Sequence, residues 1–70
     1  MAELKKIENT MFKEYYEGLN GSRRVTCILD NNCVRYMVIE NGKRKSRREY
    51  GNEPSAKDRC FKNAVKALNK

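Results

Sequence analysis

Lys43, Arg44, Lys45, Arg47 and Arg48 put five cationic side chains into the six positions KRKSRR, between the turn dipeptide Asn41-Gly42 and Glu49-Tyr50. A second basic set, Lys57, Arg59 and Lys62, follows Pro54-Ser55. Such groups pair with phosphate, and a helix starting near Ser55 would add unpaired backbone N–H groups and a partial positive charge that suit the same ligand. Neutralising about five phosphates on a duplex would give a log–log salt slope of about −4 to −5. Contacts of this kind position a nucleic acid without reading its sequence.

Other chemistry has little to work with. The chain has no histidine, so the commonest general base is missing, and no serine or cysteine has an evident activating partner. The early glutamates are interleaved with lysines, as on a solvated face, and the glycines are scattered rather than gathered in a phosphate loop. A non-catalytic protein is expected. Cys27, Cys33 and Cys60 form no CxxC pair and have no histidine to complete a zinc site, so no metal or cofactor is expected. They read as small apolar side chains in a reducing compartment.

Seventy residues suffice for a single small domain spanning 1–70, with a thin core, since a chain this short buries only about 60% of its unfolded surface. Its net charge of +7 is unevenly placed: residues 1–21 carry three lysines against four glutamates, so the remainder supplies a balance of +8. That asymmetry suits a partner rich in phosphate. No stretch is long and apolar enough for a membrane span, and MAELKKIENT lacks the apolar region of a secretory signal, so an intracellular location, cytoplasmic or nuclear, is expected.

Three kinds of element must position these charges. Leu4, Ile7, Met11, Tyr15 and Leu19 recur at steps of three and four, which predicts an amphipathic first helix ended by Gly18, Asn20 and Gly21. RRVTCILD and CVRYMVIE predict a hairpin about Asn31-Asn32. In that register Leu29 faces Val34, Cys27 faces Tyr36 and Val25 faces Val38, all on one side of the sheet. Asn41-Gly42 predicts a second hairpin leading into the basic segment, which offers no apolar residue before Tyr50 and so suits an edge strand. Edge charge also discourages aggregation, which would explain the cluster without any ligand. Cys60, Phe61, Ala64, Val65 and Leu68 predict a final helix with Ser55 as N-cap and Asp58 in its first turn. The fold class is therefore α+β, in the order α-β-β-β-α, with a three-stranded antiparallel sheet and two helices packed on one face.

This order, with FKEYYEGL (Phe12 to Leu19), VRYMVIENGK (Val34 to Lys43) and GNEPSAKDRCFKNAVKAL (Gly51 to Leu68), resembles a double-stranded RNA-binding domain. The resemblance implies phosphate contacts from Ser55 and Lys57 across a major groove, and a minor-groove contact from Glu14 on the first helix. Ala56 stands where that family usually has a lysine. The three strands followed by a helix also resemble DNA-binding domains of the AP2 and integrase-arm types. That likeness implies a sheet laid in a major groove, with Thr26, Arg35, Met37, Arg44, Ser46 and Arg48 on its reading face. Expected partners are thus nucleic acid, with duplex RNA ahead of DNA, or alternatively an acidic protein surface.

Overall fold

The hairpin about Asn31-Asn32 has the register that its alternating side chains dictate. In the computed structural model, which describes residues 2–51 and 53–70, Leu29 pairs with Val34, Cys27 with Tyr36 and Val25 with Val38. These residues belong to β3 (Arg23–Asp30) and β4 (Val34–Glu40). Asn31 and Asn32 close the turn without left-handed backbone; Asp30 accepts a hydrogen bond from the Asn32 N–H instead, at 2.9 Å. The next turn does use positive φ, at Asn41 (54°) and Gly42 (80°), and leads into β5 (Lys43–Tyr50). The basic segment is thus an edge strand.

The expected first helix does not form. Its residues make β1 (Lys5–Asn9) and β2 (Lys13–Asn20), which complete a five-stranded antiparallel sheet in the order β1-β2-β3-β4-β5. The three-stranded, two-helix arrangement is therefore corrected to five strands and one helix, α1 (Ala56–Leu68). Two forces account for the change. As a strand, β2 satisfies the whole free edge of β3, pairing residue by residue from Lys13↔Asp30 to Asn20↔Arg23. The supposed helical stripe is also not buried as one: Ile7, Met11 and Leu19 are exposed, whereas Tyr16 and Gly18, two residues apart, turn towards Phe61 and Leu68 of α1. The turn between β1 and β2 is held by Thr10, whose hydroxyl accepts hydrogen bonds from the Phe12 and Lys13 N–H groups at 3.3 and 3.1 Å.

Small side chains let α1 lie close on the sheet. Ala56, Cys60, Ala64 and Leu68, four residues apart, are fully buried against Val25, Cys27, Leu29, Val34 and Val38. Phe61 meets Tyr16 edge-on at 5.1 Å on one flank, and the Tyr50 hydroxyl accepts a hydrogen bond from Asn63 Nδ2 at 2.6 Å on the other. Side chains from the sheet satisfy the last helical carbonyls: Asn20 donates to Leu68 O at 2.8 Å, and Arg23 donates to Ala67 O at 2.9 Å. Arg23 also grips Glu40 Oε1 through two nitrogens, at 3.0 and 3.1 Å, so one guanidinium ties β3, β4 and the helix end together. No helix among the described residues is long and apolar enough to cross a membrane.

Candidate nucleic-acid interface

Because α1 covers one face only, every second residue of the sheet points to an open face. The strand pairings arrange these residues in rows: Tyr15–Ile28–Arg35–Glu49, then Glu17–Thr26–Met37–Arg47, then Leu19–Arg24–Ile39–Arg44. Ile28, Met37 and Ile39 form a half-buried apolar spine, and Arg24, Arg35, Arg44 and Arg47 frame it. Arg47 is ion-paired with Glu49, its neighbour on the same face. Lys13 lies 5.6 Å from the Tyr15 ring.

The anticipated basic residues divide between the two faces, and a β-bulge decides how. Ile39 pairs with Arg44 but Val38 pairs with Ser46, so Lys45 is the extra residue. Every side chain after Lys45 is thereby turned over relative to an unbroken ladder. Arg47 goes to the open face, while Ser46 and Arg48, assigned to that face from the sequence, go to the helix side. The bulge also turns Tyr50 inward, where it packs against the core cluster.

On the helix side, Arg48 and Arg59 converge on Tyr50, their guanidinium carbons 5.6 and 5.9 Å from the ring centroid. Strand and helix cations meet here, although Glu53 also approaches Arg59 at 3.7 Å. Lys45 is occupied by Glu40 at 3.1 Å, and Lys43, opposite Glu40, lies at the far end of the strand. Ser55 occupies the N-cap position but its hydroxyl makes no capping bond. Lys57 and Lys62 line a groove of about 300 Å³ with Tyr16, Leu29, Asp58 and Phe61, on the opposite flank of α1 from Arg59. The candidate cations therefore form four groups and not one patch.

Glu14 lies on β2, not on a helix, so the helical presentation implied for it is absent. Lys6 at 2.9 Å and the Tyr16 hydroxyl at 2.9 Å both hydrogen-bond its carboxylate, and with Lys57 nearby they hold its pKa below the ordinary value. Glu40 is likewise lowered, by its hydrogen bonds from Arg23 and Lys45. Burial is the main cause of the upward shifts at Tyr16 and Tyr36.

Cys27 and Cys60 are buried with their sulfurs 3.8 Å apart, and Cys33 is half-buried. Among the described residues, no group of three or more His, Cys, Asp or Glu could hold a metal ion. Asn52, within the segment that resembles the RNA-binding family's second helix, lies outside the described residues.

Tyr15 and Arg24 are among the members of the open face that the sequence reading passed over. Arg24 was within reach, since it lies two residues before Thr26 on the same strand; Tyr15 was hidden by the supposed helix. No family model, curated protein or solved structure matches the chain.

Proposed function

We propose that this protein binds nucleic acid, without catalysis, through the open face of its sheet and the adjoining β5. The observation that carries this reading is the apolar spine of Ile28, Met37 and Ile39 framed by Arg24, Arg35, Arg44 and Arg47. Guanidinium groups offer both donors for phosphate and planes for bases, and the spine between them gives apolar contact. A salt-titrated binding assay tests it. Engagement of four arginines by a single strand predicts a log–log slope of about −3. R44E with R47E should abolish binding and leave thermal stability intact, because both side chains are exposed. Unchanged affinity in that double variant would remove the open face from consideration.

A second reading rests on the helix side. The meeting of Arg48 and Arg59 at Tyr50 supports phosphate contact at the junction of β5 and α1, as duplex RNA binding would use. Under that reading R48E with R59E removes binding and R44E with R47E does not. The two double variants therefore separate the readings in one experiment.

A further inference from the structure

We infer that the ligand of the open face is single-stranded nucleic acid with its bases unstacked on the sheet; this deepens the proposal above and rests on it. Three geometrical points lead there. Successive rows on one face of a strand are two residues apart, about 6.8 Å. That is twice the rise of about 3.4 Å per nucleotide in a stacked strand. Bases seated one to a row, over Ile28, Met37 and Ile39, must therefore be separated from one another, which a single strand permits and a duplex does not.

Width gives the second point. Five strands spaced about 4.8 Å apart make a surface some 20 Å across, whereas the major groove is about 12 Å wide. The β1–β2 hairpin, which replaces the expected helix, extends the sheet sideways and bars the three-stranded docking that the sequence suggested.

The third point is the chemistry of the rows. The spine is half-buried rather than hidden, and an apolar surface framed by cations matches a base beside its phosphate. The outer surface of a duplex offers no base faces to such a spine. A second copy docked face to face would bring Arg24, Arg35, Arg44 and Arg47 against the same four guanidiniums. Glu17 on β2, opposite Lys5, and Glu49 on β5, ion-paired with Arg47, lie on either side of the spine and discourage phosphate there, so the backbone is directed past Arg24 and Arg44.

The test uses the full chain and fluorescence anisotropy with a labelled, unstructured pyrimidine oligonucleotide, as DNA and as RNA, alone and annealed to its complement. The single strand, in at least one of the two sugar chemistries, should bind about tenfold or more tightly than its duplex. Met37→Ser with Ile39→Ser should weaken single-strand binding by roughly tenfold when assayed at a temperature where circular dichroism shows the variant still folded. Duplex affinity equal to or above single-strand affinity would overturn this inference and leave the nucleic-acid reading standing. Binding of none of the four probes at low salt would overturn both. A dimer in sedimentation that Met37→Ser with Ile39→Ser disperses would assign the spine to self-association and likewise overturn the inference.

Discussion

Gly18 is the position where adding one carbon should be felt most. A Cβ built there lies 2.5 Å from Leu68 Cδ2, 2.9 Å from Glu3 O and 3.0 Å from Leu4 Cδ2. Carbon atoms in contact sit about 3.5–4.0 Å apart, so Leu68 must retreat by roughly 1 Å. Leu68 is fully buried, so its retreat disturbs the core, and the Glu3 carbonyl is backbone and yields less readily still. Overpacking of this kind costs about 1–3 kcal/mol, offset by the 0.5–1 kcal/mol that alanine gains over glycine in a strand, roughly. Gly18→Ala should therefore lose about 1–2 kcal/mol. In a domain of this size that lowers the melting temperature by something like 5–15 °C, read by circular dichroism. Two controls separate the clash from general effects. Gly51 has open space around its Cβ position and no positive φ, so Gly51→Ala should leave the melting temperature unchanged or slightly raised. Leu68→Val withdraws the offending methyl, so adding Gly18→Ala in that background should cost less than it does alone. A Gly18→Ala protein as stable as the parent would refute the close approach of α1 to β2.

Glu40 gives a pH-dependent outcome. Its folded pKa is depressed by Arg23 and Lys45, so its contribution is present above the ordinary value of 4.5 and is lost as pH falls through the folded value. Glu40→Gln should lower the melting temperature at neutral pH, and the gap to the parent should close in acid; a gap of constant size would show that the ion pairs contribute nothing. Tyr50→Phe removes the bond to Asn63 and should cost about 0.5–1.5 kcal/mol in urea denaturation, with no effect counting against that bond. Deleting Lys45, the extra residue, should leave Ser46 opposite Val38, Arg47 opposite Met37 and Tyr50 turned inward in an unbroken ladder, so the urea transition should stay cooperative; loss of a cooperative transition would contradict the assignment of Lys45 as the bulged residue.

What the sequence disclosed and what it concealed have the same origin in period and pairing. The Val25–Leu29 and Val34–Val38 rows were legible because an unbroken alternation admits one register that buries them all, and the helix over Ala56–Leu68 because its apolar residues recur at helical steps. The N-terminal third was misread because Leu4, Ile7, Met11, Tyr15 and Leu19 fit a helical stripe equally well. Periodicity alone does not know that β3 has an unsatisfied edge, and it was this non-local demand for hydrogen bonds that settled the matter. The division of the basic cluster was concealed for a local reason. One bulged residue, Lys45, reverses the facing of the rest of β5 and so turns Tyr50 inward, where its hydroxyl accepts a hydrogen bond from Asn63 on a helix that follows it in the chain.

That reversal bears on function more than on stability. With a regular ladder, Arg44, Ser46 and Arg48 would share the open face and Arg47 would be lost to it. With the bulge, Arg44 and Arg47 stand opposite Ile39 and Met37, and each cation borders an apolar side chain. Arg48 is released to the helix side, where it joins Arg59 at Tyr50. The same six-residue run thus supplies two surfaces that face opposite ways, and the aromatic ring that the bulge turns inward is the one at which the second of them is assembled. A single substitution such as Tyr50→Ala, by relaxing the bulge, should disturb both surfaces at once, whereas charge reversals on either face disturb only their own.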